Sequence, residues 1–366
     1  MNDVTELKHF ALTHARAQRI AGCREILDGI TGDRGDGPGQ WTGEWRRRAD
    51  SLLARGRLLD AVRHYTLARF PYVDGPDRQE AQDRCVETFT GWAARHGVER
   101  LELDQPGGTV VCWASGLSAT EPRPLVLMCG GIVSTKEQWA PALATVTRFG
   151  MAGVVTEMPG VGENGLRYDA DSWRMLPRVL DAVTDRARVS STYAMTLSFS
   201  GHLALRAAAE DPRIRGVVTA GAPVGAFFTD SGVQKELPRI TVDTLAHLTR
   251  TPADALHGVL APWALGPGLI AALDLPIAYT ASLRDEIVPA EDVRLLRSHA
   301  RRLELVEHDD VHGSPRHVLE TRLWALSSIL RMRGVRGIRG RALGLALRTV
   351  RARHGRAGRS PGVRGA

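Results

Sequence analysis

The sequence predicts an α/β fold, a mostly parallel sheet with an N-terminal helical domain before it and a helical cap inserted within it. Residues 1–98 place apolar side chains at helical spacing and show no strand alternation. Beyond them, strand and helix patterns alternate, which is typical of βαβ units. The predicted parts are a helical lid at 1–98, a main α/β domain at 99–330 with a cap insertion at 226–272, and an Arg-rich tail at 331–366.

The helices of the N-terminal region are predicted from apolar residues three or four positions apart. Val62 and Tyr65 follow this spacing, and so do Cys85 and Phe89. A Gly-rich segment at 31–39 separates two helical stretches. We therefore expect several helices and no sheet in this region.

Eight segments are predicted as strands. The first two alternate polar and apolar residues, and we expect them to form an antiparallel pair that opens the sheet. The other six are mainly short apolar runs, as in buried parallel strands. About fifty residues of helical character separate the sixth from the seventh, far more than a normal connection needs. This insertion is predicted to roof the site. The strand segments are 99–103, 109–113, 125–129, 153–158, 192–197, 216–220, 276–281 and 303–307.

A serine stands where the fifth predicted strand turns into a helix. The apolar run 192–197 breaks at Ser198, and an alanine-rich helical pattern follows. Strand, sharp turn and helix with a serine at the apex are the geometry of a nucleophile elbow. Thr196 and Ser200 occupy the positions where the elbow usually has glycine. A frame with Ser200 at the apex would put His202 where a small side chain is needed, so Ser198 is the candidate nucleophile.

An acid and a histidine follow Ser198 in the chain order that such a site requires. A serine hydroxyl needs a histidine to accept its proton and an acid to orient that histidine. Asp285 comes just after the strand 276–281, and His312 lies in the loop after the strand 303–307. The carboxyl ends of strands in open α/β sheets are where functional residues lie. We therefore predict a catalytic triad of Ser198, Asp285 and His312.

Backbone N–H donors for a developing oxyanion are predicted from two places. One is Phe199, directly after the candidate nucleophile, and the other is Gly131 or Ile132 after the third strand. Paired glycines let the backbone approach a ligand closely, and we expect Gly130 to contact the substrate. Asp230, within the insertion, is also predicted to contact the substrate.

The net charge of +7 originates in the C-terminal tail. Eleven arginines and no acidic residue lie within 331–366, and without these arginines the chain carries about −4. Such a composition predicts a largely disordered, solvated tail. Binding of the tail to nucleic acid or anionic lipid is the alternative interpretation.

Composition and spacing also limit the class of protein. No run approaches the roughly 20 apolar residues of a membrane span, and the N-terminus has no apolar signal core, so we expect a cytoplasmic protein. The scattered cysteines show no metal-ligand spacing and are expected to be reduced thiols. The glycines at 159–163 lack the ending of a phosphate loop. We expect no metal and no cofactor.

Beyond these patterns, the chain resembles the FrsA-like hydrolases, a family of α/β-hydrolases. The family includes 2,6-dihydroxypseudooxynicotine hydrolase and fungal enzymes that shorten polyketides. The resemblance spans roughly residues 40–330. Thr196, Ser200 and His202 depart from the usual pattern, as does the basic tail. The matching motifs are Trp41–Trp45, Gly56–Ala61, Tyr65–Phe70, Cys129–Gly131, Met158–Glu163 and the Ser198 turn.

The resemblance implies an activity and partners. Known members act without a metal on esters or on C–C bonds beside a ketone, through a Ser-Asp-His triad that falls by motif position on Ser198, Asp285 and His312. They commonly dimerise. We expect a homodimeric serine hydrolase that forms an acyl-enzyme from a small-molecule or carrier-bound ester, thioester or ketone of secondary metabolism, with no nucleic-acid partner. The alternatives are an acyltransferase or cyclase using the same acyl-enzyme, and a catalytically silent hydrolase fold that binds a ligand.

Overall fold

A single sheet organises the protein, whose computed structural model describes residues 2–335 and 337–357. Its strands are β1 (Glu99–Gln105), β2 (Gly108–Ser115), β3 (Pro124–Cys129), β4 (Ala152–Thr156), β5 (Arg188–Leu197), β6 (Ile214–Ala220), β7 (Ile277–Ser282) and β8 (Leu303–His308). They lie in the order β1-β2-β4-β3-β5-β6-β7-β8. The β1–β2 and β2–β4 pairs are antiparallel and the others are parallel. The predicted mostly parallel sheet, opened by an antiparallel pair, is confirmed.

Helices cover both faces of this sheet. In chain order they are α1 (Val4–Gln18), α2 (Cys23–Asp28), α3 (Trp41–Ala54), α4 (Leu58–Ala68), α5 (Pro76–Ala93), α6 (Lys136–Trp139), α7 (Leu143–Arg148), α8 (Met175–Ala182), α9 (Phe199–Glu210), α10 (Ala226–Thr229), α11 (Ser231–Lys235), α12 (Arg239–Thr249), α13 (Leu256–Leu260), α14 (Pro267–Ala272), α15 (Ala290–His299), α16 (Val318–Met332) and α17 (Ile338–Ala357). One apolar cluster joins the sheet to α8, α9 and α15, and a second joins the opposite face to α4, α5, α7 and α16. The result is a three-layer α/β/α arrangement.

The helices α1 to α5 fill the region predicted to be helical, residues 1–98. Trp41 and Trp45 of α3 are fully buried and pack in one apolar cluster with α1 and α2. The carboxylate of Glu6 on α1 accepts a hydrogen bond from the N–H of Ile240, at 3.0 Å. The N-terminal helices are thereby joined to the insertion that follows β6.

The helices α10 to α14 occupy the segment between β6 and β7 where a cap at 226–272 was predicted. Two buried polar side chains attach this insertion to the rest of the protein. Nε2 of His202 on α9 donates a hydrogen bond to the carbonyl oxygen of Trp263, at 2.8 Å. Asp292 on α15 accepts one from the N–H of Val224, also at 2.8 Å. The side chain of His202, unusual at the serine turn, therefore has a structural partner in the cap.

The prediction of a largely disordered tail is wrong for residues 338–357, which form α17. Leu343 and Leu347, four positions apart, share one helix face and are buried in the cluster that contains α16. Arg351 adds an ion pair with Glu320, at 2.8 Å. Two leucines at helical spacing were enough to dock an otherwise polar helix. Residues 358–366 lie outside the described part of the chain. Within that part, no helix combines the length and apolarity that a bilayer span requires.

We expect Leu347→Ala to destabilise the protein by about 2–3 kcal/mol, because it removes a buried side chain and leaves a cavity. Leu345→Ala is the matched control, since Leu345 lies on the same helix and is 58% exposed. Its effect should stay within about 0.5 kcal/mol. Thermal melting of the two variants checks this, and equal melting temperatures would show that α17 does not dock on α16.

Candidate active site

Ser198 lies at the apex of the turn between β5 and α9. Its backbone is at φ 58° and ψ −132°, a region that residues other than glycine rarely occupy and that costs about 1–3 kcal/mol. The N–H of Ser198 donates to the carbonyl oxygen of Ala220, at 2.8 Å, which fixes the turn to β6. This strained strand–turn–helix is the geometry of a nucleophile elbow.

The glycine that the turn requires is at a different position from the usual motif. A Cβ on Gly201 would lie 2.2 Å from Oγ1 of Thr219, so no side chain fits there. Ser200 is fully buried, and its hydroxyl donates to the carbonyl oxygen of Cys129 at 2.8 Å and accepts from the N–H of Leu197 at 3.0 Å. Ser200 thus links the turn to β3, and its hydroxyl has structural partners.

Ser198, His312 and Asp285 form one continuous chain of hydrogen bonds. Oγ of Ser198 lies 2.9 Å from Nε2 of His312. Nδ1 of the same ring lies 2.9 Å from Oδ1 of Asp285, which also accepts from the N–H groups of Ile287 and Val288. These contacts hold the carboxylate toward the imidazole. The turns after β5, β7 and β8 therefore meet at one edge of the sheet.

The charges around His312 favour its protonated form. Burial alone would lower the pKa of its imidazole, but the carboxylates of Asp285 and Glu286 outweigh burial and raise the pKa above its ordinary 6.5. The carboxylate of Glu286 also accepts a hydrogen bond from the N–H of His312, at 2.9 Å. An imidazole held in this way is suited to accept a proton from the serine hydroxyl.

The other two carboxylates near His312 in sequence have different partners. Asp309 is exposed and pairs with Arg284. Asp310 is buried and lies 3.1 Å from Nδ1 of His317. Of the three acids, Asp285 is the one in contact with the imidazole of His312.

The loop after β3 lies against the nucleophile. A Cβ on Gly131 would be 3.3 Å from Cβ of Ser198, so the glycine allows the loop to approach this closely. Among the described residues, no backbone acceptor is found for the N–H groups of Gly131 and Ile132. Phe199 is the first residue of α9, where N–H groups have no partner within the helix. The predicted oxyanion donors are thus free to bind a ligand.

A buried network of ion pairs lies next to this loop. Nζ of Lys136 contacts carboxylate oxygens of Glu157 at 2.9 Å and Glu163 at 2.7 Å, and lies 3.0 Å from Glu137. Burial raises the pKa of Glu157 to about 7, although Lys136 opposes the shift. A Cβ on Gly162 would lie 2.3 Å from Glu157, which explains the glycines at 159–163 without a nucleotide. No pattern in the sequence indicated this network.

A cavity of about 130 Å³ opens beside Ser198 and His312. We call it the catalytic cavity. The roof predicted for the site comes from both the N-terminal helices and the insertion, and it combines apolar side chains with three threonines and a histidine. His14, a half-buried imidazole on α1, also faces the cavity, and loss of hydration lowers its pKa to about 4. The roof residues are Phe10, Thr13, His14, Ala17, Phe70, Ile240, Thr241 and Thr244.

Comparison with known proteins identifies the family. The chain matches the family described as "Esterase FrsA-like" over residues 12–312. It belongs to the FrsA-like esterase family. The fold and the resemblance predicted from the sequence are therefore confirmed. Within residues 2–335 and 337–357, no group of three His, Cys, Asp or Glu side chains could hold a metal ion.

Known proteins differ in how closely they match this chain. A solved structure titled "AbyA5 Wildtype" is 53% identical, covers 95% of this chain and all of its own, and superposes with a TM-score of 0.92. The "Esterase FrsA" of Enterobacter sp. (strain 638) is 27% identical over 248 residues, or 61% of this chain. The chain spans 58% of the length of that curated relative. The 2,6-dihydroxy-pseudo-oxynicotine hydrolase structure shares the fold, with 22% identity, a TM-score of 0.70 and coverage of 87% of this chain and 96% of its own.

Two residues that the sequence predicted to contact the substrate are not part of the catalytic cavity. A Cβ on Gly130 would lie 2.5 Å from Nε1 of Trp139, so this glycine permits packing of the indole. Asp230 is exposed, and its side chain caps the N-terminus of α11 through the N–H of Gly232, at 2.7 Å. Both residues thus have roles in local structure, and contact of either one with the substrate stays a prediction.

Gly221, at the end of β6, supports the imidazole of His312 and was not found from the sequence. Its φ is +60°. A Cβ on Gly221 would lie 2.9 Å from Cε1 of His312 and 3.5 Å from Oδ2 of Asp285. A turn glycine before alanine is common in sequences, and only the fold shows that it lies under the histidine.

We expect Gly221→Ala to lower kcat/KM about 10²-fold, because the new methyl group displaces the imidazole by a fraction of an ångström or more. Gly258→Ala is the control, since no atom lies within 4 Å of a Cβ at that helical position. Steady-state kinetics of both variants with one ester check this. A Gly221→Ala protein with wild-type kcat/KM would show that the imidazole has room to move.

Proposed function

We propose that the protein is a serine hydrolase that cleaves an ester, a thioester or a C–C bond beside a ketone through an acyl-enzyme. The observation that carries this proposal is the hydrogen-bond chain from Asp285 through His312 to Ser198 at a strained elbow. Membership of an esterase family supports it. The intact chain of contacts argues against a catalytically silent fold.

The geometry suggests a role for each group. The hydroxyl of Ser198 attacks the substrate carbonyl while Nε2 of His312 accepts its proton. The tetrahedral oxyanion is bound by the N–H groups of Phe199 and of Gly131 or Ile132. As the bond to the leaving group breaks, His312 returns the proton to it, and an activated water then hydrolyses the acyl-enzyme by the same steps.

The catalytic cavity suggests the substrate class. Its volume of about 130 Å³, with aromatic and aliphatic side chains in its roof, favours a small or narrow acyl group. For a C–C bond beside a ketone, His312 would protonate the leaving carbanion. A role in secondary metabolism, a homodimeric state and a cytoplasmic location remain predictions.

Acyl transfer and cyclisation use the same acyl-enzyme and differ in the acceptor. A cavity that excludes water favours them, because water is the competing acceptor. Product analysis by mass spectrometry separates the outcomes. Release of the free acid from p-nitrophenyl acetate and related esters supports hydrolysis, whereas an acyl product that appears only with an added alcohol or amine supports transfer. Failure to form an acyl-enzyme with any ester or thioester contradicts the proposal.

The pH dependence of kcat/KM should show an acid limb with its midpoint above pH 6.5, because the raised pKa of His312 leaves the base protonated at and below that pH. Activity is therefore present above the pKa of folded His312 and is lost as the pH falls through it. Asp285→Asn removes the charge that raises this pKa, so its residual activity should show the limb at lower pH. A midpoint well below 6.5 in the wild type would contradict this assignment of the base.

A further inference from the structure

The catalytic cavity adjoins two further cavities. A second cavity of about 150 Å³ shares part of its wall with the first, including His14, Ser134 and Leu197. A third, of about 440 Å³, shares Gln138, Trp139 and Met195 with the second. We call the second and third cavities together the side channel. The side channel lies beside the catalytic cavity and reaches the surface between α1, α4 and α16.

The walls of the inner part of the side channel are apolar. Trp139 and Trp324 contribute indole rings, and Met195 and Val218 contribute side chains from the sheet. Along β5, Met195 lines both cavities and precedes Ser198 by three residues, which corresponds to about 10 Å of strand. An extended hydrocarbon chain held here would place its far end well away from the reacting carbonyl.

The outer end of the side channel is positively charged. Arg19, Arg63 and Arg322 line it. Arg63 pairs with Asp60 at 2.8 Å, but among the described residues no carboxylate lies within ion-pair distance of Arg19 or Arg322. Partial loss of hydration, and then the like charges of Arg19 and Arg63, lower the pKa of Arg322.

One carboxylate does line the outer cavity, and it already has cationic and hydrogen-bond partners. Oε1 of Glu137 lies 3.0 Å from Nζ of Lys136 and accepts a hydrogen bond from Nε1 of Trp113, at 2.9 Å. It therefore does not neutralise the arginines at the mouth. Clustered guanidinium groups, two of them without an ion-pair partner among the described residues, are a site for a carboxylate or phosphate, which they bind through paired hydrogen bonds.

We propose that the side channel takes the apolar chain of a substrate whose far end carries a carboxylate or phosphate, bound by Arg19, Arg63 and Arg322. This inference rests on the proposed function, since the side channel adjoins the catalytic cavity beside Ser198. It defines the substrate as an anionic amphiphile, and the reacting carbonyl lies at the inner end of the chain.

Binding can be measured without turnover in the Ser198→Ala protein. Octanoate, octyl phosphate and octan-1-ol are the probes, at low ionic strength and below micelle formation, followed by calorimetry and by the fluorescence of Trp139 and Trp324. We expect at least one anion to bind about tenfold more tightly than the alcohol. Introducing Arg322→Gln into the Ser198→Ala protein should remove most of the preference for the anion. Raising the salt concentration should weaken anion binding. Arg294→Gln, an exposed arginine on α15 paired with Glu291, is the control and should change nothing.

The outcomes separate this proposal from the proposed function. Preference for octanoate identifies a carboxylate as the natural group, and preference for octyl phosphate identifies a phosphate ester. Equal binding of the alcohol and both anions, or an anion preference that survives both Arg19→Gln and Arg322→Gln, would overturn the proposal. Hydrolysis of p-nitrophenyl acetate by the wild-type protein is measured separately. A failure of anion binding therefore leaves the test of hydrolysis interpretable, and a failure of hydrolysis leaves the test of anion binding interpretable.

Discussion

Replacing Ser198 by alanine is expected to lower kcat/KM by about 10⁴-fold or more while leaving the fold intact, because the members of a triad act as a unit. The side chain of Ser198 is buried, and among the described residues its hydroxyl has one side-chain partner, Nε2 of His312, so its removal leaves no structural group without a partner. Steady-state kinetics with an ester and a melting curve measure the two parts of this prediction.

Ser200→Ala is the matched control, two residues away on the same turn. Its hydroxyl joins Leu197 to Cys129, and its removal should destabilise the protein by about 1–3 kcal/mol. The activity of the folded Ser200→Ala protein should stay within about tenfold of wild type. Loss of activity in Ser200→Ala with retention in Ser198→Ala would mean that the nucleophile has been assigned to the wrong serine.

Asp285→Asn is expected to slow the reaction by about 10³–10⁴-fold. The amide nitrogen is a donor and cannot accept the hydrogen bond from Nδ1 of His312. The imidazole therefore favours the tautomer with its proton on Nε2, and this tautomer cannot take the proton from Ser198. The N–H groups of Ile287 and Val288 would still bind the amide oxygen and keep the side chain in place. The decrease should appear in kcat, measured at saturating ester.

Two neighbouring acids provide the comparison for Asp285. Asp309→Asn removes an exposed ion pair with Arg284 and should leave the rate near wild type. Asp310→Asn weakens a buried contact with His317 and should lower the melting temperature more than the rate. A near-normal Asp285→Asn protein beside an inactive Asp309→Asn or Asp310→Asn protein would reassign the acid.

The sequence was sufficient for those parts of the site that depend on chain order and strand ends. Alternating patterns predicted β1 and β2, and apolar runs predicted the other strands. Ser198, Asp285 and His312, in the turns after β5, β7 and β8, lie within hydrogen-bond distance of one another. Residues that act through a neighbour distant in sequence were not predictable. Gly221 under His312 is such a residue, and so is Lys136 between Glu157 and Glu163, since nothing local in the sequence pairs them.

The composition of the tail and the position of Asp230 in the insertion were poor guides to local structure. The many arginines of the tail predicted disorder. The docking of α17 depends instead on Leu343 and Leu347, two residues that contribute little to the average composition of the tail. Asp230 was expected at the substrate because it lies in the cap, whereas an aspartate at the start of a helix satisfies N–H groups of that helix. In both cases a few local contacts determined the structure.

The most direct test of the account is to map where a fluorophosphonate probe reacts with the full-length protein. The phosphorus of the probe accepts the activated serine oxygen and releases fluoride. The account predicts the addition of one probe per chain, located on Ser198 by peptide mass spectrometry, and no addition to the Ser198→Ala protein. A protein that hydrolyses esters but remains unlabelled, or that carries the probe on Ser200, would contradict it.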